Sequence, residues 1–369
     1  MIALVAQLCA AQPPGGVVVT EARGGFNAAI AARAGAVVVG WQEARPSPAV
    51  FTRELAAATL TPRGPAAQVT VAPTPPEHLS GFALATAPDG IGVAFCTCYG
   101  GSGTIDCASR AVTGTFAGFA PRAGTGGCST GVGLATAGTS ALLAWTNAAT
   151  LAFASSAARA ARTVDGDVTA DALAIARADN DRAVLAWRTA DAPFADGGPG
   201  ARALVAVALG PDARPASRHV NLSGSGRRGA PALAWIDGAA QVVYARAASP
   251  RAPWQLARTA WTPGRRPVTI ALATGRAPAM APAIAPSRTP GCAVVSFTEG
   301  SGRATVVRAG RVCAGRFEAA SLAQLSTPGV EAGDSELASD GEHVYVVWQE
   351  VPAERGVREV LRVARVGCD

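Results

Sequence analysis

The sequence contains no lysine, so all 32 of its Lys and Arg residues are arginine, and only 5% of its residues are aromatic. The missing lysine, together with the excess of alanine, is typical of a GC-rich coding bias and indicates no arginine-specific chemistry. The arginines are scattered, with Arg227-Arg228 and Arg265-Arg266 the only adjacent pairs. A nucleic-acid surface needs a basic patch with aromatic side chains for stacking. We therefore expect no nucleic-acid partner, despite the formal net charge of +6.

Long apolar runs are also missing. No run approaches the roughly eighteen residues that a membrane-spanning helix needs, so we expect no membrane span. Residues 2–11 (IALVAQLCAA) are similar to the apolar part of a signal peptide, but no positively charged segment precedes them. A lipidated Cys9 is disfavoured, because Leu8 stands where a small residue is expected. We interpret 1–14 as a leader or signal-peptide remnant and 15–369 as a single domain.

A β-rich run that ends in an aromatic residue recurs along the chain. Each copy begins with a small apolar pair, passes a Gly, Asp or Asn turn, and ends at its aromatic anchor. In five copies the anchor follows the apolar residue of the first strand by 11 residues, as Trp41 follows Ile30. Trp235 resembles an anchor, but assigning it to a first strand with Asp237-Gly238 as the turn restores this spacing. The anchors are Trp41, Phe95, Trp145, Trp187, Tyr244, Phe297 and Trp348.

The spacing of the anchors predicts the fold. They recur at a mean interval of about 51 residues, and a period of this size is typical of four-stranded propeller blades. The sequence therefore predicts an all-β, seven-bladed β-propeller with antiparallel blades, while six or eight blades stay open if one copy is misread. The last copy is one strand short. Residues 17–20 (VVVT) are predicted to complete it, which would close the ring and remove open sheet edges.

The cysteine content indicates an oxidising compartment. The eight cysteines are an even number, and a reduced cytosolic protein of this type would usually keep fewer of them. We therefore expect them to form disulfides. Cys96, Cys98, Cys107 and Cys128 cluster in the second repeat, where zinc binding or free thiols are the alternatives; their spacing lacks the paired C-x2-C of structural zinc sites. Cys292 and Cys313 are predicted to pair on neighbouring strands. Cys9 and Cys368 flank the predicted closure and are candidates for a further bridge.

Several short motifs favour structural explanations. The GSGRRG of 224–229 matches a dinucleotide-binding pattern, and the GCSTG of 127–131 matches a nucleophile elbow. Both need a helix behind them, whereas a strand is predicted. With only three histidines, His78, His219 and His343, a Ser/His pair has little support. Asp165, Asp167, Asp171, Asp179 and Asp181 could bind calcium, but turn chemistry explains them better. We expect no cofactor and no metal.

The residue two positions beyond each anchor is usually polar. These residues are predicted where the second strand leaves the blade, so they could form a polar ring on one face of the propeller. Turn chemistry is the alternative explanation. The candidate ligand-binding residues of this ring are Glu43, Asn147, Arg246, Glu299 and Glu350.

Through these repeats the chain resembles the secreted bacterial β-propellers with a VVW-polar-polar strand, a group adjacent to sialidase-like propellers. It has neither the WD dipeptide nor the S-x-D-x-G-x-T-W box, of which Ser339-Asp340-Gly341 is a fragment. The resemblance is specific for architecture and does not fix an activity. Our first hypothesis is an extracytoplasmic, monomeric binding or scaffold propeller without catalytic residues, which presents loops to a protein or glycan partner. The alternative is a glycan-cleaving enzyme with an arginine-lined funnel and a carboxylate pair.

Overall fold

The architecture comes from a computed structural model. For the strand residues between 43 and 80 and between 95 and 113, it describes mainly the backbone. The predicted leader 1–14, Cys9, Cys128, Cys368, Asp165 and Asp167 lie outside the described residues. The described residues are 16–22, 27–33, 36–45, 52–61, 64–65, 69–72, 77–87, 90–101, 104–113, 131–137, 139–147, 150–156, 161–163, 170–189, 203–223, 227–249, 251–272, 274, 277–352 and 359–366.

The described chain is all-β and forms antiparallel sheets, numbered here in chain order. Strand β1 (Val17–Ala22) precedes sheet 1, which comprises β2 (Ala28–Arg33), β3 (Ala36–Arg45), β4 (Thr52–Thr61), β5 (Gly64–Pro65) and β6 (Val69–Ala72). Sheet 2 comprises β7 (Glu77–Ala87), β8 (Gly90–Gly101) and β9 (Thr104–Thr113); sheet 3 comprises β10 (Val132–Ala137), β11 (Ser140–Asn147), β12 (Thr150–Ser155) and β13 (Ala161–Thr163).

The remaining sheets follow the same plan. Sheet 4 comprises β14 (Ala170–Ala178), β15 (Arg182–Thr189), β16 (Leu204–Leu209) and β17 (Val220–Asn221); sheet 5 comprises β18 (Arg227–Arg228), β19 (Ala232–Ile236), β20 (Ala239–Ala247), β21 (Gln255–Trp261) and β22 (Val268–Leu272). Sheet 6 comprises β23 (Ala279–Pro286), β24 (Cys292–Glu299), β25 (Val306–Cys313), β26 (Arg316–Phe317) and β27 (Ala323–Gln324); sheet 7 comprises β28 (Glu331–Ser339), β29 (Val344–Val351) and β30 (Glu359–Val366), with β1. A 3-10 turn, Ala319–Ser321, precedes β27.

In each sheet the strand that carries the anchor forms the predicted hairpin with the strand that precedes it in the chain. In sheet 5, Leu233 pairs with Val242 and Ile236 pairs with Ala239, so Trp235 lies on the first strand as predicted. Asp237 and Gly238 form the turn with φ of 48° and 74°. Two successive residues with positive φ give the type I′ geometry that matches the twist of a hairpin, and Asp-Gly adopts it at low cost. The choice of Tyr244 as the anchor of this repeat is therefore confirmed.

The chain divides into two compact units. Unit 1 is Met1–Ala72, Pro253–Arg258 and Ile270–Asp369, and unit 2 is Pro73–Ala252 and Thr259–Thr269. Sheets 1, 6 and 7 belong to unit 1, whereas sheets 2, 3 and 4 and most of sheet 5 belong to unit 2.

Within each unit, the aromatic anchor of a sheet packs on the preceding sheet. In unit 2, Trp187 of β15 lies in one apolar cluster with Leu142 and Phe153 of sheet 3. In unit 1, Trp348 of β29 clusters with Val307 of sheet 6. Trp41 clusters in the same way with Val347 of sheet 7. The second strands are buried on both faces, which explains why they read as continuous apolar runs.

Strand β1 completes sheet 7. It runs antiparallel to β30, with Val17 opposite Val363 and Ala22 opposite Glu359. Gly16 precedes it with φ of 53°, and a Cβ there would lie 2.5 Å from the Val363 carbonyl oxygen. The predicted pairing of residues 17–20 with the C-terminal sheet is therefore observed.

Helical structure contributes little to the part of the chain described above. No helix in that part has the length and apolar character needed to cross a bilayer.

Candidate functional site

The first strand of sheet 7 carries a β-bulge. Gly333 pairs with Gln349 and Glu336 pairs with Val347, so Asp334 and Ser335 together oppose the single anchor Trp348. Asp334 has φ of 51°, a left-handed conformation that is costly for a residue with a Cβ. Bulges of this kind redirect side chains and are common beside active sites. Asp334 and Glu336 are exposed, and Ser335 between them is buried. We call Asp334 and Glu336 the carboxylate pair.

The neighbouring sheet repeats this bulge without the acids. In β23, Met280 pairs with Thr298 and Ala283 pairs with Ser296, so two residues again oppose the anchor Phe297. The first of these two residues, Ala281, also has a positive φ, of 44°. The bulge is therefore a feature of the repeat, and the acidic side chains are the special feature of sheet 7.

The acidic residues on the first strand distinguish the last repeat from the other six in the sequence. One position before the first-strand apolar residue, the other six repeats carry only Ala or Gly, where sheet 7 has Glu336. Three positions before it, they carry Gly, Ala or Asn27, where sheet 7 has Asp334. Sequence reasoning missed both residues because the repeats were compared at their anchors and not at this position. The signal was present in the EAGDSE of residues 331–336.

The carboxylate pair has perturbed pKa values. Desolvation, followed by the negative charge of Asp334, raises the pKa of Glu336 to about 7. Desolvation also raises the pKa of Asp334. Both residues are partly accessible to solvent, but the surrounding protein displaces much of the water that would stabilise an ionised carboxylate. In the described chain neither carboxyl group accepts a hydrogen bond or forms an ion pair. Such unpaired, shifted carboxyl groups are candidates for acid–base chemistry.

Hydroxyl groups lie beside the bulge. The Ser335 and Ser296 hydroxyls are buried and 2.9 Å apart, which joins β28 to β24. Thr298 on β24 is also buried, and its Oγ1 has no hydrogen-bond partner among the described residues. A Cβ built on Gly333 would lie 3.6 Å from this oxygen. The Thr298 hydroxyl therefore faces the space left by the missing side chain of Gly333, next to Asp334.

Glu350 of the predicted polar ring is buried, and its carboxylate contacts other residues of the protein. It is 1% exposed. Its Oε1 accepts hydrogen bonds from the Thr327 backbone N–H at 2.7 Å and the Trp348 indole N–H at 3.1 Å. Its Oε2 accepts them from the Thr327 hydroxyl at 3.0 Å and from Arg362 at 2.5 Å. These four donors occupy the carboxylate.

The other predicted ring residues also lie on second strands. Glu299, at the end of β24, forms an ion pair with Arg308 at 2.5 Å. Arg246 on β20 lies opposite Arg228 of β18. Glu43 and Asn147 are on β3 and β11, and their side chains lie outside the described set. The structure thus gives Glu299 and Glu350 ion-pair partners, and the ligand-binding role of the ring stays a prediction.

The cysteine pairing is confirmed for one bridge. Cys292 and Cys313 face each other across β24 and β25 and form a disulfide. In sheet 2 the backbone register sets Cys98 directly opposite Cys107, while Cys96 lies opposite Ser109. The bridges proposed for Cys128 and for Cys9 with Cys368 fall outside the described residues.

The remaining motifs form turns or strands where they are described. Arg227–Arg228 is a short strand paired with β20, so the glycine-rich segment leads into a sheet as predicted. Asp179 and Asp181 flank Asn180 in the exposed turn between β14 and β15, where Asn180 and Asp181 have φ of 56° and 55°. Across the described ranges, no group of three His, Cys, Asp or Glu side chains is arranged to hold a metal ion. Calcium binding stays a prediction.

Three solved structures with a similar fold are of enzymes. Trypanosoma rangeli sialidase in complex with sialic acid aligns over 95% of this chain and 56% of its own, with a TM-score of 0.54 and 10% identity. The phage phi92 endosialidase aligns over 96% and 69%, with a TM-score of 0.58 and 7% identity. A prolyl endopeptidase aligns over 94% and 47%, with a TM-score of 0.55 and 14% identity. The chain thus spans about half the length of the sialidase and the peptidase.

At these identities the likeness shows the fold. The structural neighbours include sialidase and endosialidase propellers, in agreement with the resemblance of the repeats. No protein-family model matches the sequence. No curated protein matches it at a significant level.

The comparison corrects one prediction. We expected a non-catalytic binding or scaffold propeller, but the proteins that share this fold here are sialidases, an endosialidase and prolyl peptidases. That expectation is wrong, and the glycan-cleaving alternative is the better supported of the two.

Proposed function

We propose that this protein hydrolyses glycosidic bonds, with Glu336 as general acid and Asp334 as the second carboxylate. The carboxylate pair on the β28 bulge is the observation that carries the proposal. Its desolvation and mutual repulsion raise the pKa of Glu336 to about 7, so this group can hold a proton near neutral pH. Glycoside hydrolysis needs one protonated and one ionised carboxyl group at the scissile bond.

The chemistry assigned to each group follows from its charge. Glu336 donates its proton to the glycosidic oxygen as the leaving group departs. Desolvation also raises the pKa of Asp334. We assign Asp334 the ionised role, in which its carboxylate stabilises positive charge at the anomeric carbon and promotes attack there. Either water or the carboxylate itself can make this attack. Proton NMR of the freshly released sugar distinguishes the two, because the first inverts and the second retains the anomeric configuration.

We also propose the finer architecture. The sheets are the blades of one seven-bladed propeller domain over 15–369, and β1 is the strand that closes the ring. Seven aligned repeats and the pairing of β1 with β30 support this arrangement. The Cys292–Cys313 disulfide supports an extracytoplasmic location, where such bonds persist. We take the protein to act as a monomer on a glycan.

Activity measurements on single-residue variants test the function. The full chain is assayed on a panel of 4-methylumbelliferyl glycosides as wild type, Glu336→Gln and Asp334→Asn. We expect each substitution to lower kcat by about 10²-fold or more, the usual contribution of a general acid or base. Wild-type kcat should also fall above about pH 7, because Glu336 then loses its proton.

Glu342→Gln is the matched control. Glu342 is an exposed residue of the β28–β29 turn, and its backbone N–H donates a hydrogen bond to Oδ1 of Asp340. Its variant should keep wild-type kcat. The proposal fails if no glycoside is cleaved, or if Glu336→Gln retains kcat within threefold of wild type.

A further inference from the structure

The bulge of β28 packs on the anchor strand of sheet 6 through two successive contacts. The Ser335 and Ser296 hydroxyls are 2.9 Å apart, so one donates a hydrogen bond to the other between the two sheets. Two residues earlier, a Cβ built on Gly333 would lie 3.6 Å from the Thr298 Oγ1, which is an ordinary contact distance. Ser296 and Thr298 are two positions apart on β24 and therefore share one face of that strand. We call Ser335 and Ser296 the hydroxyl pair.

The carboxylate pair occupies the alternate positions of the same segment. Asp334 lies between the two residues that pack on β24, and Glu336 follows them. Both acids are exposed, whereas Ser335 is buried. The packing of Gly333 and Ser335 on sheet 6 thus holds the backbone from which both carboxyl groups project toward solvent.

The hydroxyl pair occurs in the repeats only beside the acids. Two residues before the first-strand apolar residue, where the last repeat has Ser335, the others carry Ala28, Phe82, Val132, Leu173, Pro231 and Pro282. One residue before the anchor, where the sixth repeat has Ser296, the others carry Gly40, Ala94, Ala144, Ala186, Val243 and Val347. The bulge of β23 forms with Pro282 at the position of Ser335. The bulge itself therefore does not require a hydroxyl there.

A hydrogen bond between two buried hydroxyls contributes direction more than stability. Each hydroxyl gives up its hydrogen bonds to water when it is buried, and apolar groups of the same shape can be nearly as stable. A hydrogen bond differs from an apolar contact because it holds its two atoms within a narrow range of distance and angle. The hydroxyl pair is therefore suited to holding the bulge in one place on β24.

We infer that the hydroxyl pair of Ser335 and Ser296 positions the carboxylate pair, by holding the β28 bulge on β24 so that Asp334 and Glu336 keep the spacing their reaction needs. This inference rests on the proposed hydrolase function. Both serines are buried, so they act through the two acids and not on the sugar. Such positioning matters because a displacement of about 1 Å at reacting groups can lower a rate on the order of 10²-fold.

The charged groups around β28 determine what a titration of Glu336 reports. The strands packed against β28 are β2, β23, β24, β25 and β29, and β23 carries no charged residue. The other charged residues of these strands and of β28 are Arg33, Glu299, Arg308, Arg311, Glu331, Asp334 and Glu350. The serine variants below leave all of them in place. A change in the pKa of Glu336 in these variants therefore reports its access to water and its distance from Asp334.

Serine-to-alanine variants test the positioning role through kcat. The full chain is assayed on the best 4-methylumbelliferyl glycoside as wild type, Ser335→Ala, Ser296→Ala and the double variant. We expect each single variant to lower kcat about tenfold or more and to keep KM within about twofold, because the alignment for the transition state is lost. The double variant should lose no more than the larger single loss, since both substitutions remove the same hydrogen bond.

Ser223→Ala is the matched control. Ser223 is a buried serine of unit 2, and its Oγ accepts a hydrogen bond from the Leu204 backbone N–H at 2.9 Å. The control therefore also removes one buried hydroxyl and one hydrogen bond, but none at the bulge. It should keep wild-type kcat. Unfolding midpoints measured in parallel show that all variants are folded.

Carbon-13 NMR of the glutamate carboxyl groups gives a readout that needs no substrate. The Glu336 resonance is assigned by its loss in Glu336→Gln, and in wild type it should titrate at about pH 7. In Ser335→Ala and Ser296→Ala we expect its pKa to be lower by about half a unit or more, because a loosened bulge admits water and lets Asp334 move away. Ser223→Ala should leave this pKa unchanged.

The outcomes separate the positioning role from the hydrolase function. Serine variants that keep kcat within about twofold of wild type overturn the positioning role and leave the function standing, as do kcat losses that multiply in the double variant. An unchanged pKa of Glu336 in both single variants also overturns it. If wild type cleaves no glycoside above the Glu336→Gln background, the function is overturned, and the NMR titration alone then decides whether the hydroxyl pair positions the two carboxyl groups.

Discussion

Two glutamates on neighbouring strands of sheet 7 have opposite surroundings. Glu350 is buried and accepts hydrogen bonds from four donors, including Arg362. Glu336 has no such donor in the described chain, and desolvation raises its pKa to about 7. The carboxylate of Glu350 therefore stabilises the folded state, whereas the ionised carboxylate of Glu336 destabilises it. Unfavourable groups of this kind are retained where function needs them.

Substituting each glutamate by glutamine should change stability in opposite directions. At pH 8, Glu350→Gln should lower the free energy of unfolding by about 3 kcal/mol, because it leaves Arg362 without its buried partner. Glu336→Gln should raise it by about 1 kcal/mol, a value discounted for the solvent that reaches this side chain. Urea unfolding followed by tryptophan fluorescence measures both.

The pH dependence of the Glu336 effect has a defined sign. Its pKa is higher in the folded state than the model value of 4.5, so the folded protein binds this proton more tightly than the unfolded chain. The destabilisation by Glu336 is therefore largest above about pH 7, where the group is ionised in both states, and it decreases as the pH falls toward 4.5. The gain from Glu336→Gln should therefore disappear at pH 4.5. An equal gain at both pH values would contradict the assigned pKa.

At the scale of single elements, β1 depends on a close approach at its start. Gly16 has φ of 53°, and a Cβ there would lie 2.5 Å from the Val363 carbonyl oxygen and 2.6 Å from the Trp348 ring. Gly341 in the β28–β29 turn also has positive φ, but open space surrounds its Cβ position. Of these two glycines, Gly16 combines backbone strain with a steric clash and Gly341 has the backbone strain alone.

Alanine substitution at these two glycines should separate the effect of backbone strain on stability from the effect of the steric clash. Gly341→Ala should lower the free energy of unfolding by about 1 kcal/mol, the usual cost of a left-handed residue with a Cβ. Gly16→Ala should lower it by about 3 kcal/mol, because β1 must also move away from β30. Equal losses would mean that β1 does not pack as described, and hydrogen exchange at Val17–Ala22 would then show the same protection in both variants.

The sequence predicted the second strands well and the bulges not at all. Trp145, Trp187 and Trp348 are large, and they end apolar runs that must be buried on both faces, so their strands are visible in the pattern. The bulge at Asp334 depends on pairing register between β28 and β29, which no local residue pattern specifies. The same limit applies to Ala281, whose positive φ would not be expected of alanine.

For the whole molecule, the cysteines define covalent links that can be mapped. The register of sheet 2 sets Cys98 opposite Cys107 in the way that Cys292 lies opposite Cys313, which are bonded. Because a cross-strand disulfide needs its two residues directly opposed, we predict a Cys98–Cys107 bond.

Non-reducing peptide mapping of the natively purified protein tests this prediction. It should recover Cys98 linked to Cys107, and Cys292 linked to Cys313 serves as the internal control. Recovery of Cys98 joined to Cys96 or Cys128 would contradict the register. Recovery of most cysteines as free thiols would contradict the extracytoplasmic location.

The candidate site was predictable only in part. The alternative of a carboxylate pair in a glycan-cleaving propeller followed from the resemblance, but the residues themselves did not. Asp334 and Glu336 become conspicuous only beside the Ala and Gly of the other repeats, and their shifted pKa values arise from desolvation in the folded chain. For the polar ring, the structure adds that the Glu350 carboxylate accepts hydrogen bonds from four donors, while the ligand-binding role of the ring stays a prediction.

The pairing of β1 with β30 also sets the order in which the chain can mature. The ribosome releases Val17–Ala22 first, but their partner Glu359–Val366 emerges near the end of the described chain. At synthesis rates of about 5–20 residues per second, the early strand waits on the order of tens of seconds with its hydrogen-bonding edge uncovered. Sheet 7 is therefore the last to be finished during synthesis, and a nascent chain stalled before residue 359 would be a substrate for chaperones and proteases.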